Sequence, residues 1–347
     1  VIHSGLYYPT SSLKTSLCIH GRTLLYARCA RSSIPHRKTG KLILATSFSQ
    51  EAYLGTLVHK AEALREAGVG EVPLRWLSGD EARELEPDLG GEVVGALLSP
   101  ETGIVSSHAL MEDLEREVEE SERGEVVYGT RVVRIDKAEG AGGKRGDGSE
   151  EGWVVQTVTS DGSGGEGERS AVLARVVINS AGLKFALPPA SSASLTALFS
   201  AHHIANQILS APERRTLYFA KGTYFSCKSF LAPHAPRLTP APDRGPGISS
   251  VQHLLYPCPD PSSLAGLGTH LTMNLANEIR FGPDIEWLKA PPLDGEEEMD
   301  FWVRELGASE ERMGAAVREV QKYLPGVRAE GFAPDCTSYL LPLPLAR

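Results

Sequence analysis

The sequence predicts an α/β protein, and three observations carry that prediction. Segments with helical apolar spacing alternate with short apolar runs of strand length. Three strand-like runs between residues 126 and 179 are set apart by glycine-rich loops. One run, ARVVINSAGL at 174–183, ends in small residues, as a buried parallel strand does where its backbone must approach a ligand.

Taken in order, residues 11–31 carry Leu13, Leu17, Leu24 and Leu25 behind two candidate caps, Ser11 and Ser12, and predict a helix that Gly21 weakens. Residues 41–46, KLILAT, predict a strand, and 50–67 a helix closed by Gly68. Residues 76–87 hold a capping box, Ser78 with Glu81, and stop at Pro87. Residues 93–99 predict a strand, and 107–120 a helix whose apolar face is Leu110, Met111, Leu114 and Val118. Runs at 126–136, 152–159 and 171–179 predict a meander. Its loops, around 138–151 and 161–169, are rich in Gly, Glu and Ser and predict disordered, dispensable turns. Residues 230–246 are proline-rich and loop-like, 268–273 predict a strand, and 297–306 with 309–323 predict an amphipathic helical stretch. Beyond Pro334 the text DCTSYLLPLPLAR has no periodicity, and its two prolines argue against a strand.

With 347 residues the chain suits two domains or one large one. Acidic residues outnumber basic ones, 44 to 35, for a formal charge of −9, a surface that repels phosphate backbones and argues against a nucleic-acid partner. A local cationic pocket for a small anion remains compatible with it. No apolar run approaches the roughly 18 residues of a membrane-spanning helix. The five cysteines are dispersed without a C-x-x-C pair, which fits a reducing compartment and indicates neither a disulfide framework nor a zinc site. No closely spaced set of metal ligands is present, so no metal is expected. G-x-S-x-G and the P-loop are absent too, and no G-x-G-x-x-G stands between a strand and a helix.

Several residues admit two readings. The strand before Gly182 either delivers backbone to a nucleotide or is core followed by a turn. His3 and His270 are either functional imidazoles or packed ones. Lys221 and Tyr224, in KGTY, either grip a carboxylate or decorate a surface turn. Arg22, Lys41 and Arg280 are isolated charges of open role.

Seven stretches, in the same order, then resemble one family. They are VIHSGLYYPTSSLKTSLCIHGRTLLY, GKLILAT, SPETGIVSSHALM, VVINSAGL, YFAKGTYFS, LLYPCPDP and LGTHLTMNLANEIRFGPDIEW. The set resembles the FAD-dependent oxidoreductases of the D-amino-acid-oxidase type, most closely the L-2-hydroxyglutarate dehydrogenases, along nearly all of residues 1–334. The resemblance implies an FAD-binding Rossmann-like domain (1–40, 101–187, 311–347) interleaved with a mixed-sheet α+β substrate domain (41–100, 188–310). It implies oxidation of a 2-hydroxy dicarboxylate, L-2-hydroxyglutarate, with hydride transfer to the flavin and a quinone carrier or oxygen as electron acceptor, in a mitochondrial setting. His3 and His270 are its candidate bases. His3, Ser4, Gly5, Val132, Val133, Ser180, Ala181 and Gly182 are its candidate FAD contacts, and Lys221, Tyr224 and Arg280 its candidate substrate contacts.

Rival readings are an amino-acid, amine or glycerol-3-phosphate oxidoreductase, and a non-catalytic fragment. The last arises because the family pattern places about 40 residues, a first βαβ unit with its glycine-rich turn, ahead of Val1. The sequence also leaves the pattern at Asp335. The expectation is a chain truncated at both ends, with its first βαβ unit missing, that does not hold FAD by itself.

Overall fold

The apolar periodicity resolves into two compact units in the computed structural model, which describes residues 1–144, 150–160, 167–182, 201–214, 219–227, 251–259, 268–288 and 309–340. One unit comprises Val1–Ser121, Lys221–Glu286 and Ala308–Ser338; the other comprises Glu122–Ala220, Trp287–Gly307 and Tyr339–Arg347. The architecture is mixed α/β.

The first unit opens with α1 (Leu13–Arg31), whose N-cap Ser12 accepts a hydrogen bond from the Thr15 amide. Gly21 does not interrupt it. There follow β1 (His36–Arg37), β2 (Lys41–Ala45), α2 (Phe48–Glu66), β3 (Arg75–Ser78), α3 (Gly79–Leu85), β4 (Gly95–Ser99), β5 (Ile104–Val105) and α4 (Ser107–Glu120). The capping box is present in full: Ser78 Oγ accepts from the Glu81 amide while the Glu81 carboxylate accepts from the Ser78 amide. Arg28 of α1 pairs with Asp113 of α4 at 2.7 Å.

The second unit holds β6 (Thr130–Lys144), β7 (Glu150–Thr159) and β8 (Glu168–Ala174), an antiparallel meander ordered β6-β7-β8, and α5 (Ala201–Ile208). The remaining strands are β9 (Phe219–Cys227), β10 (Leu254–Pro257), β11 (His270–Met273), β12 (Ile279–Leu288) and β13 (Phe332–Leu340), with a helix at Met313–Gln321 between the last two. With β2, β3 and β4 they form an eight-stranded sheet ordered β13-β9-β12-β11-β10-β2-β4-β3.

That sheet is mixed: β2 runs parallel to β10 and antiparallel to β4. All five residues of β2 are buried because both faces are covered. Ile43, Ala45 and Leu97 cluster with Leu54, Leu57 and Leu64 of α2 and Ile19 of α1. Leu42, Leu44, Leu255, Leu271 and Phe281 cluster with Val317, Val320 and Tyr323 at the helix Met313–Gln321.

Four expectations are corrected. First, the ladder between β6 and β7 runs into the glycine-rich segment, pairing Ala138 with Gly152 and Lys144 with Glu150, so the turn is shorter than 138–151. A ladder needs only backbone N–H and C=O groups, and composition without apolar side chains does not forbid it. Second, the described residues of the run 174–183 do not form a buried parallel strand, and the third meander strand, expected at 171–179, lies earlier, at Glu168–Ala174. β8 stops at Ala174 and is antiparallel to β7, and Val176 and Ile178 are exposed. Asn179 Nδ2 donates to the Ala201 carbonyl at 2.6 Å, and its Oδ1 accepts from the Ala181 amide at 3.4 Å.

Third, Lys221 and Tyr224 lie inside β9 rather than on a turn. Fourth, the stretch DCTSYL belongs to β13, at the sheet edge, where Pro334 is tolerated because its missing N–H need not face a neighbour. The strands β3, β10 and β12 and the helix α5 carry too few periodic residues to be read from the sequence. The proline-rich 230–246 and the helix expected at 297–306 lie outside the described residues.

Candidate functional site

Register decides which side chains of the large sheet can meet. Directly paired residues share a face: Lys41 with Leu254, Ile43 with Tyr256, His270 with Gly282 and Thr272 with Arg280, while Leu255 and Leu271 occupy the opposite face. Lys41, Tyr256, His270 and Arg280 therefore stand on one face. Alternation along β9 puts Tyr224 with Gly222 and puts Lys221 with Thr223 and Phe225, on the other side of the strand. Tyr224 packs against Gly282, where an added Cβ would stand 2.7 Å from its ring. Phe225 belongs to the apolar cluster on the far face. The structure thus brings Tyr224 toward His270 and Arg280 but does not bring Lys221 with it.

The centre of the shared face is Lys41, at the mouth of an otherwise apolar strand and 1% exposed. Its Nζ lies 4.4 Å from the ring centroid of Tyr7 and 4.8 Å from that of Tyr256. No described residue hydrogen-bonds it. Burial alone brings its pKa down to about 7, since an ammonium loses hydration there and gains no anionic neighbour.

His270 stacks on Tyr256, centroids 3.9 Å apart and planes 19° apart. Its Nδ1 has no partner among the described residues. Burial first, opposed by a hydrogen bond with the Gly268 backbone and reinforced by the charges of Lys41 and His3, depresses its pKa to about 3. His3 is held at about 4 by burial first and then by Lys41. Both imidazoles are neutral across the neutral range. Tyr7 is buried with its hydroxyl unpartnered, and burial pushes its pKa well up, so it keeps its proton. Ser4 Oγ is likewise buried without a partner. The unpartnered polar atoms of Tyr7, Lys41 and His270 belong to side chains that meet through ring contacts at Lys41 and Tyr256, a pattern that proteins concentrate at binding sites.

The other singled-out charges have partners. Arg22 donates to the Glu71 carbonyl at 2.8 Å and ties α1 to the segment before β3. Arg280 is ion-paired with Asp335 of β13.

In the second unit, Val132 pairs with Thr157, and Val133 falls at a register shift between Val132 and Arg134, a bulge that leaves it outside the ladder. Ser180, Ala181 and Gly182 are exposed. Gly182 has φ 63°, and nothing lies within 4 Å of where a Cβ would sit, so its backbone is open to close approach.

Sequence reasoning passed over Tyr7 and Tyr256 and left Lys41 undecided. The available signal was a lysine opening a five-residue strand that is otherwise wholly apolar, a place where a solvated charge does not belong.

Fold and site together define an α/β protein with a dehydrated, cationic, aromatic-lined centre on one sheet face. The family model described as FAD dependent oxidoreductase matches residues 1–337, and the chain belongs to that family. It is 28% identical over 351 residues to the Arabidopsis thaliana protein named L-2-hydroxyglutarate dehydrogenase, mitochondrial, an overlap of 96% of this chain and 62% of that relative. It is 26% identical over 370 residues to the Escherichia coli L-2-hydroxyglutarate dehydrogenase, an overlap of 96% of this chain and 72% of the other. The chain therefore spans less than two thirds of the plant relative. Among solved structures, the dithionite-reduced, FAD-bound L-α-glycerophosphate oxidase of Mycoplasma pneumoniae superposes with a TM-score of 0.64 at 14% identity, over 98% of this chain and 71% of that one. At that identity the likeness establishes the fold.

Proposed function

We propose that this chain belongs to an FAD-dependent dehydrogenase that oxidises a 2-hydroxy dicarboxylate, L-2-hydroxyglutarate, to its 2-oxo acid. The observation that carries the reading is the dehydrated cluster around Lys41: a buried cation with aromatic walls and neutral imidazoles beside it suits an anionic substrate that must surrender a hydroxyl proton. The names of the plant and bacterial relatives support the choice of acid.

The residues suit the cofactor. Ser4 Oγ is a buried unpartnered group, Gly5 holds φ 81° where an added Cβ would stand 3.1 Å from Ile19 Cγ1, and Val133 and Gly182 present irregular or open backbone. We assign His3, Ser4, Gly5, Val132, Val133, Ser180, Ala181 and Gly182 to holding FAD. The interleaved domains, with FAD-binding pieces at 1–40, 101–187 and 311–347, belong to the same reading. Bound flavin supplies a two-electron acceptor for the hydride leaving the substrate carbon.

The protein's own contribution is proton handling and binding. A neutral imidazole accepts the hydroxyl proton as the carbonyl forms. His270, fixed by its stack on Tyr256 and with Nδ1 unpartnered, is the better-held of the two candidates, His3 the other. Tyr224 and Arg280 lie on the same sheet face and are assigned to the substrate's carboxylates. Lys221, one residue out of phase, would reach them only around the strand. The electron acceptor is assigned to a quinone carrier or oxygen. A mitochondrial setting rests on the plant relative's name and is not shared by the bacterial one.

The test is anaerobic. Protein reconstituted with FAD and mixed with L-2-hydroxyglutarate should lose its visible flavin band, while glycine, sarcosine, D-amino acids and glycerol 3-phosphate should leave it intact. Bleaching by one of the latter alone would replace the substrate. A protein that takes up FAD and is bleached by none of them would remove the activity.

A further inference from the structure

We propose that Lys41 is the anchor for a ligand carboxylate, which it grips between the faces of Tyr7 and Tyr256 with the Tyr7 hydroxyl as second donor. The inference rests on the functional reading above and adds to it a residue that the sequence left undecided. Three observations lead to it. Lys41 Nζ is buried and makes neither a hydrogen bond nor an ion pair with any described residue, whereas Arg280 on the same face is engaged by Asp335 and Arg22 by a carbonyl. The two rings cannot by themselves offset its dehydration. A cation–π contact is weaker than the hydration an ammonium gives up on burial. Finally, the groups around it are donors or neutral. Tyr7 and His3 come from the N-terminal segment, Tyr256 from β10 and His270 from β11, and none is an acid. A carboxylate completes this set; a cation or a neutral alcohol does not.

One consequence separates binding from turnover. With a pKa of about 7, Lys41 is largely an amine at pH 8, and an arriving carboxylate restores the proton, so binding draws one in from solution.

The experiment uses the full chain and glutarate, a dicarboxylate with no hydroxyl to oxidise, in calorimetric titrations at pH 8 in buffers of different ionisation enthalpy. Wild type should bind with uptake of close to one proton. Lys41→Met should bind about 10- to 100-fold more weakly, as loss of a charge-assisted contact implies, with no uptake. Lys41→Arg should bind without linked uptake, because guanidinium is charged throughout. Near-UV circular dichroism establishes that each variant is folded, and the arginine variant keeps the test decisive if the methionine one is not. Glutarate binding equal to wild type in folded Lys41→Met, or wild-type binding with no proton uptake, would overturn the anchor. Propionate, run in parallel, separates the two readings: Lys41-dependent binding of propionate without glutarate keeps the anchor and discards the dicarboxylate. Failure of the folded wild type to bind either overturns the anchor itself.

Discussion

The two units of this chain handle burial in opposite ways. The eight-stranded sheet is covered on both faces, and its central strands contain residues with no exposure at all, including Leu42, Leu44, Leu255, Leu271 and Phe281. The three-stranded meander is open: every residue of β8 but the last is exposed, and Val172, Leu173, Val176 and Ile178 meet solvent. Only the first kind of environment can shift a titration by several pH units. Lys41, His3 and His270 are all displaced in that unit, and each by burial before anything else. The second unit offers backbone geometry instead, a bulge at Val133 in β6 and a left-handed Gly182 beyond β8. The contrast teaches that titration shifts and open backbone geometry are drawn from different structural resources.

The largest expected effect breaks the comparison at its core. Phe281 is fully buried and stacks on Phe332 at 5.0 Å, so Phe281→Ala should cost about 3–5 kcal/mol in urea unfolding. Val172→Ala in the open meander should stay within about 0.5 kcal/mol. Equal costs would mean that the meander face is not solvent-facing.

Acid comes next. His270 and His3 have folded pKa values of about 3 and 4, below the ordinary 6.5, so the unfolded chain binds more protons between those limits. Stability is complete above pH 6.5 and falls as pH drops toward 4, by at most about 1.4 kcal/mol per pH unit for each histidine. His270→Asn should flatten that slope in chemical denaturation measured across the window. An unchanged slope would show that His270 is not held neutral.

Glu86 gives the third effect. Its Oε1 accepts from the Gln252 and His253 amides, each at 2.9 Å, and lies 2.7 Å from the His253 Nδ1, which fixes the chain as it enters β10. Glu86→Ala strands these donors and should cost about 2–3 kcal/mol. A smaller loss from Ser78→Ala, about 1 kcal/mol, should follow from removing half of the capping box. Thermal unfolding should rank Phe281→Ala, Glu86→Ala, Ser78→Ala and Val172→Ala in that order of loss, and a reversed order would show that local caps outweigh buried contacts here.

Much of the first unit was legible because its signals are local. The cap at Ser12, the capping box at Ser78 and Glu81, and the apolar run KLILA each declare an element within a few residues. The corrections arise where pairing is non-local or purely backbone. β13 depends on a neighbour more than a hundred residues earlier, and β6 continues through glycines that give no apolar signal. His270, Tyr224 and Arg280 were named from the sequence as candidates, and the register of the strands sets them on one sheet face. Lys41 was not among them. An isolated lysine says nothing of its surroundings until the register of β2, β10 and β11 sets two aromatic rings and an imidazole about it.

That charge is open to direct observation. In protein carrying isotope-labelled lysine, the side-chain resonances can be followed by NMR from pH 5 to pH 11, with Lys41→Met supplying the assignment. The account predicts one lysine that titrates near pH 7 while exposed ones titrate near their ordinary value of about 10.4, and that this single resonance vanishes in the variant. A Lys41 resonance that titrates with the rest would mean the ammonium is hydrated, and would contradict the dehydrated cationic centre on which the functional reading stands.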